Sequence, residues 1–99
     1  MLLESFIEKL NKQGYTISNL FQNDFGWQAN LNKVLGDTRT GFEFGLGSTP
    51  LEALQAALVK TELSSGTVIL KSKQINHYKG RTLDQNTIND ILSQLNLGD

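Results

Sequence analysis

The stretch from Trp27 to Leu46 constrains this 99-residue chain most, because it alternates and turns as a β-hairpin must. Asn30-Leu31-Asn32-Lys33-Val34-Leu35 and Thr38-Arg39-Thr40-Gly41-Phe42 flank Gly36-Asp37, a pair suited to a two-residue turn with positive φ at its first position. Closing the turn there sets Leu35 opposite Thr38. Counting outward predicts Leu31 opposite Phe42, Ala29 opposite Phe44 and Trp27 opposite Leu46, all on one apolar face. The alternate set, Gln28, Asn30 and Asn32, then falls opposite Gly45, Glu43 and Gly41. Strand side chains alternate with period two, so a slip of one residue would destroy this agreement.

A helix is predicted to start almost at once. Thr49 fits the N-cap, Pro50 fits the first helical position where its missing N–H costs nothing, and Glu52 is placed to reach back to the cap. Leu51, Leu54 and Leu58 recur at helical spacing, while Ala53, Ala56 and Ala57 offer a small surface for close contact with a sheet. Lys60 stands near the C-terminal end, where the helix dipole favours a cation, and Ser64-Ser65-Gly66 stops the helix.

Upstream, Leu3, Phe6, Ile7 and Leu10 form the apolar stripe of a first helix that Gly14 ends. Tyr15 to Phe21 reads as a strand with Tyr15, Ile17 and Phe21 on one face, joined to the hairpin by a loop from Gln22 to Gly26. Downstream, Thr67-Val68-Ile69-Leu70 reads as a short edge strand, given its β-branched residues. A last helix opens at Leu83 or Asp84, capped by Thr82 or Asp84, with the stripe Ile88, Ile91, Leu92 and Leu95 and with Gly98 past its end.

The expected fold is α+β. An α-β-β-β-α core over residues 2–63 packs a three-stranded antiparallel sheet on two helices. Residues 64–99 then add a possible fourth strand, a basic segment and a C-terminal helix. Residues 1–99 are read as one domain, since a chain of this length buries roughly 65% of its unfolded surface and sustains a core without staples. No run approaches the ~18 apolar residues of a membrane span. Met1-Leu2-Leu3-Glu4 lacks the basic start of a signal peptide, and with no cysteine a reducing, cytoplasmic setting is expected.

Nine Lys and Arg against ten Asp and Glu give a net charge of −1, which argues against a dedicated nucleic-acid binder. The distribution is uneven, however. No acid stands between Glu62 and Asp84, while Lys71, Lys73, Lys79 and Arg81 gather around His77 and Tyr78. Such a segment reads either as a solvated edge, whose lysines prevent strand-to-strand aggregation, or as a contact for phosphates.

Catalytic chemistry finds little footing. His77 is the only histidine and there is no cysteine, so Ser-His-Asp, Cys-His and the usual zinc constellations are not expected. The chain is therefore read as non-enzymatic, without metal or cofactor. Glu43 is the exception among the acids. It is predicted to project from a strand onto the polar face between Gly41 and Gly45, either as a recognition carboxylate or as an ordinary solvated residue. Gly45-Leu46-Gly47 before a helix start could cradle a phosphate. It lacks the third glycine of the dinucleotide fingerprint, however, and Pro50 and Glu52 oppose an anion, so these glycines are expected to serve a sharp turn and close packing.

Helix, three antiparallel strands and helix in this order, with Gly45-Leu46-Gly47-Ser48 before Ala53, Ala56 and Ala57, resembles the double-stranded RNA-binding domain over about residues 2–62. The resemblance implies the αβββα fold. The family's lysine cluster at the start of its second helix is replaced here by Thr49-Pro50-Leu51-Glu52, and its Gly-Pro-x-His loop by Gln22-Asn23-Asp24-Phe25-Gly26. Gly47-Ser48-Thr49-Pro50-Leu51-Glu52-Ala53 is also similar to the strand-to-helix junction of HicB-type antitoxins and small phage-type proteins. That likeness implies a small protein that neutralises an enzyme by binding it.

The leading expectation is thus a protein-interaction module, an adaptor or inhibitor of phage or bacterial type. It would bind through Gln28, Asn30, Asn32 and Glu43 on the polar sheet face, through Phe25 in the adjoining loop, or through the last helix. That helix packs within the chain or forms a homodimer through Ile88, Ile91, Leu92 and Leu95. The competing expectation is RNA or DNA binding by Lys71, Lys73, Lys79 and Arg81.

Overall fold

A computed structural model describes residues 1–24, 26–39, 41–66 and 84–95, with Leu35 by its backbone alone. Helix α1 (Leu3–Lys12) leads into strands β1 (Tyr15–Asn23), β2 (Gly26–Leu35), β3 (Thr38–Arg39) and β4 (Glu43–Gly47), followed by helices α2 (Pro50–Ser64) and α3 (Gln85–Gln94). This is the expected α+β order. All pairing is antiparallel, with β2 central, β1 on one side, and β3 and β4 in line along the other.

The turn of the hairpin forms as predicted, with Gly36 at φ +61°, Leu35 opposite Thr38 and Val34 opposite Arg39. Beyond Arg39 the predicted register fails. Leu31 pairs with Glu43, Asn30 with Phe44, Ala29 with Gly45, Gln28 with Leu46 and Trp27 with Gly47. Only positions 32 and 33 separate the paired residues on β2, whereas 40, 41 and 42 separate them on the partner side. The outer strand thus carries one extra residue, a β-bulge. The shift of one turns Glu43, Gly45 and Gly47 toward the helices, and Phe44 and Leu46 away from them.

The reason lies in how close α2 comes to β4. A Cβ on Gly45 would stand 2.2 Å from the Ala57 nitrogen and 2.4 Å from the Ala53 carbonyl oxygen, and one on Gly47 would stand 2.6 Å from the Ala53 nitrogen. No side chain fits at either position. In the predicted register, Phe44 and Leu46 would hold the helix off by the thickness of a ring. The glycines let backbone pack on the Ala53, Ala56 and Ala57 surface, and the dispersion contacts of that approach outweigh the apolar pairing of the hairpin.

A second bulge acts in β1. Tyr15 and Ile17 face the core as predicted, but the register shifts between Ile17 and Asn19. Leu20 therefore takes the core side, opposite Ala29, and Phe21 turns outward opposite Gln28. The strands pair as far as Asn23 and Gly26, so the connection is a two-residue turn rather than the predicted loop from Gln22 to Gly26.

Helix α2 is the centre of the core, buried on almost every side from Ala53 to Glu62. The sheet lies against one side of it, with Ala29, Leu31 and Tyr15. Phe6 and Leu10 come from α1, and Ile88, Ile91 and Leu92 from α3. The last helix thus buries its stripe within its own chain, and Gln85 adds a hydrogen bond of 3.3 Å to Gln55 on α2. Both helix starts follow their sequence signals. Thr49 accepts from the Glu52 N–H at 3.1 Å, Asp84 accepts from the Thr87 N–H at 2.7 Å, and the Glu52 carboxylate reaches the N–H of Ser48, one residue before the cap.

Phe25, the strand predicted over 67–70, the basic residues Lys71, Lys73, Lys79 and Arg81 with His77 and Tyr78, and Gly98 lie outside the described residues. Among the described residues, no helix is long and apolar enough to cross a membrane.

The Gly45 approach predicts a sharp contrast between two glycines. Gly45→Ala should lower the unfolding free energy by about 3 kcal/mol or more, because backbone atoms must move, whereas Gly41→Ala, which meets open space, should stay within about 0.5 kcal/mol of wild type. Urea unfolding followed by circular dichroism measures both.

Candidate functional site on the outer face of the sheet

The two bulges act on the same side of the sheet. Residues paired across strands share a face, so Phe21, Gln28 and Leu46 make one outward row, and Asn19, Asn30 and Phe44 the next. Phe21 and Phe44 remain 41% and 42% exposed, and Phe42, two residues before Phe44, 63%. Large apolar side chains left in water on both sides of β2 are informative in a way that a scattered exposed leucine is not. Between the rings, the half-buried Gln28 donates to the Asn30 side-chain oxygen at 3.2 Å, and the Ser18 hydroxyl donates to the Asn30 carbonyl at 3.4 Å. The face is a neutral mixture of amides and aromatic rings.

The sequence reading expects a binding face here, and the structure differs on which side chains that face presents. Gln28 and Asn30 are on the face. Asn32 shares its side of β2 but is only 2% exposed, which removes it from a partner's reach. Glu43 is not on this face. The bulge turns it to the helix side, opposite the buried Leu31, where it accepts from the Ser64 hydroxyl. Phe21, Phe44 and Leu46 belong to the face and were expected on the opposite, core-facing side. The glycine pattern could have revealed this, since Gly45 and Gly47 alternate in register with an alanine surface that must meet something small.

Lys60 forms the rim. It leaves α2 nine-tenths buried, and its Nζ lies 3.9 Å from the centroid of the Phe44 ring. Burial lowers its pKa from the ordinary lysine value, while the charge of Glu43 pulls it partly back up. It therefore serves as a rim cation rather than as the helix-end charge its position had suggested.

Two residues on, the buried Glu62 ties α2 to two strands. Its Oε1 accepts from the Tyr15 hydroxyl on β1 and from Lys33 Nζ on β2 at 3.3 Å, while Oε2 is buried and accepts no hydrogen bond from the described residues. The Lys33 ammonium also stands 5.1 Å from the centroid of the Tyr15 ring. Burial pushes the Tyr15 phenol well above its ordinary pKa, and the hydrogen bond and charge of Glu62 add to the effect. Sequence reasoning gave Glu62 no such role. The stripe Leu54, Leu58, extended by one more turn, lands on it. At the other end of the helix, the Glu52 carboxylate holds the Ser48 N–H that a phosphate would need, and Gly47 is packed on Ala53, so these glycines serve close packing. Among the described residues, no three His, Cys, Asp or Glu side chains gather as a metal site requires.

No family model matches this chain, and neither a curated protein nor a solved structure matches it.

Two outcomes follow from the buried carboxylate. Lys33→Met should cost about 3 kcal/mol by leaving Glu62 without its cation, and adding Glu62→Gln should recover at least about 1 kcal/mol of that, which a double-mutant cycle in urea reads. The folded chain keeps the Tyr15 proton to higher pH than the unfolded chain. The linked stability is therefore fully present below about pH 10 and lost as pH rises beyond it. Stability measured from pH 9 to 11.5 should fall more steeply in wild type than in Tyr15→Phe.

Proposed function

We propose that this chain is a non-enzymatic protein-interaction module, an adaptor or inhibitor, that docks a protein partner on the outer face of its sheet. The observation that carries the reading is that two independent bulges each turn a phenylalanine out of the core onto the same face. Bulges re-aim side chains at functional positions. Aromatic anchors among amides that can hydrogen-bond are also the usual chemistry of a protein interface. The neutrality of the face fits a partly apolar protein surface better than a phosphate backbone, for which salt-dependent cationic contacts dominate. A small inhibitor is also what the likeness to HicB-type antitoxins implies, and a chain without cysteine suits the cytoplasm.

The competing reading is nucleic-acid binding by Lys71, Lys73, Lys79 and Arg81, helped by bases stacking on the exposed rings. The test captures partners from the native host on immobilised wild type and on Phe21→Ser/Phe44→Ser. It then titrates the identified partner, purified, against both. The double variant should keep the wild-type circular dichroism spectrum at about 25 °C, because neither ring belongs to the buried core, yet bind at least about tenfold more weakly. Equal affinity would overturn the reading. So would a low-salt gel shift with RNA or DNA that is abolished when Lys71, Lys73, Lys79 and Arg81 are changed to Glu.

A further inference from the structure

The rim of the outer face carries one cation that has no hydrogen-bonded partner among the described residues. Lys60 is nine-tenths buried, and among the described residues its ammonium makes no hydrogen bond and no ion pair. The side-chain stem is packed while the nitrogen stays in reach of water, so burial strips the ammonium of only part of its hydration. The Phe44 ring face offsets part of that loss through its quadrupole but supplies no acceptor. The nearby Glu43 carboxylate, which accepts from Ser64, acts on the ammonium through its charge and not through a hydrogen bond. The ammonium is therefore held against an exposed aromatic ring, with its donors left to solvent instead of to a partner within the chain.

We propose that the partner of this face brings an Asp or Glu side chain to Lys60, set within an apolar segment that covers Phe44. The inference rests on the docking reading above and names the chemistry of its partner. A segment covering Phe44 would shut water out of the site as its carboxylate reached the ammonium, and a charge-assisted hydrogen bond is stronger there than in water. A side-chain carboxylate is favoured over a chain terminus by position. Phe44 lies between the exposed Phe42 and the half-buried Leu46 along the sequence, so a segment covering all three passes Lys60 instead of ending there.

The experiment selects a random peptide library displayed on phage against the full chain in three forms: wild type, Lys60→Met and Phe21→Ser/Phe44→Ser. The best peptide is then synthesised with both ends blocked and titrated by calorimetry. Wild type should enrich peptides with an acidic residue flanked by apolar ones, Lys60→Met should lose that enrichment, and Phe21→Ser/Phe44→Ser should lose the peptides altogether. Changing the acidic residue to its amide should weaken binding to wild type at least about tenfold and leave binding to Lys60→Met unchanged. The peptide-side change still tests the carboxylate on wild type should Lys60→Met fail to fold. Peptides that need the phenylalanines but show no acidic preference would overturn this inference and leave the docking reading standing. Peptides indifferent to the phenylalanines would overturn both. A labelled single-stranded oligonucleotide that wild type binds and Lys60→Met does not would assign the ammonium to phosphate instead and overturn the inference.

Discussion

The contact between α2 and the backbone of β4 sets the terms for the rest of the molecule. Two glycines without side chains face three alanines with minimal ones, and the helix settles where a methyl group would already collide. With the helix so close, β4 can present only glycine toward the core over its last turn of pleat, and a bulge supplies the offset. The aromatic residues between the glycines are left no choice of side. The outer face thus owes its rings to packing on the inner face, one strand thickness away.

The same closeness accounts for the polar end of α2. A helix pressed on the sheet and covered by α1 and α3 has little open surface, so its last turns bury whatever they carry. Lys60, Thr61 and Glu62 meet that constraint in three ways. Thr61 folds its hydroxyl back onto the Ala57 carbonyl at 2.9 Å, Glu62 takes a phenol and an ammonium from the sheet, and Lys60 reaches past the β4 edge to an aromatic ring. Removing two ions from water is costly, so the Lys33–Glu62 pair is better regarded as fixing where the helix end sits than as a net source of stability.

Much of this was legible in the residues. The order of elements, the Gly36-Asp37 turn, the Thr49 and Asp84 caps and the stripes of α1 and α3 all follow from local rules, because each depends on neighbours a few positions away. The register of β4 did not, because two local rules conflicted. Apolar pairing within the hairpin favoured Phe44 inside, while the glycine-alanine match with α2 favoured Gly45, and only the tertiary contact decides between them. The site inherited that error. Gln28 and Asn30 stand on the outer face as the pattern of β2 implies, whereas Glu43, Phe21 and Phe44 take the opposite side from the one expected, since each sits beyond a bulge. A single extra residue in a strand leaves almost no signature in composition or periodicity over so short a run.

A strand of this kind stores its information in length as well as in chemistry. The residues between Arg39 and Glu43 behave as a phase setting, because adding or removing one advances the alternation by half a period and exchanges the two faces of everything that follows. Although Gly41 and Phe42 are exposed and would pass as a tolerant surface stretch, a one-residue deletion there would drive Phe44 and Leu46 into α2 and push the glycines out to solvent. Substitution and deletion at the same exposed positions therefore belong to different orders of damage. The count of residues in this short segment is under tighter physical constraint than their identity.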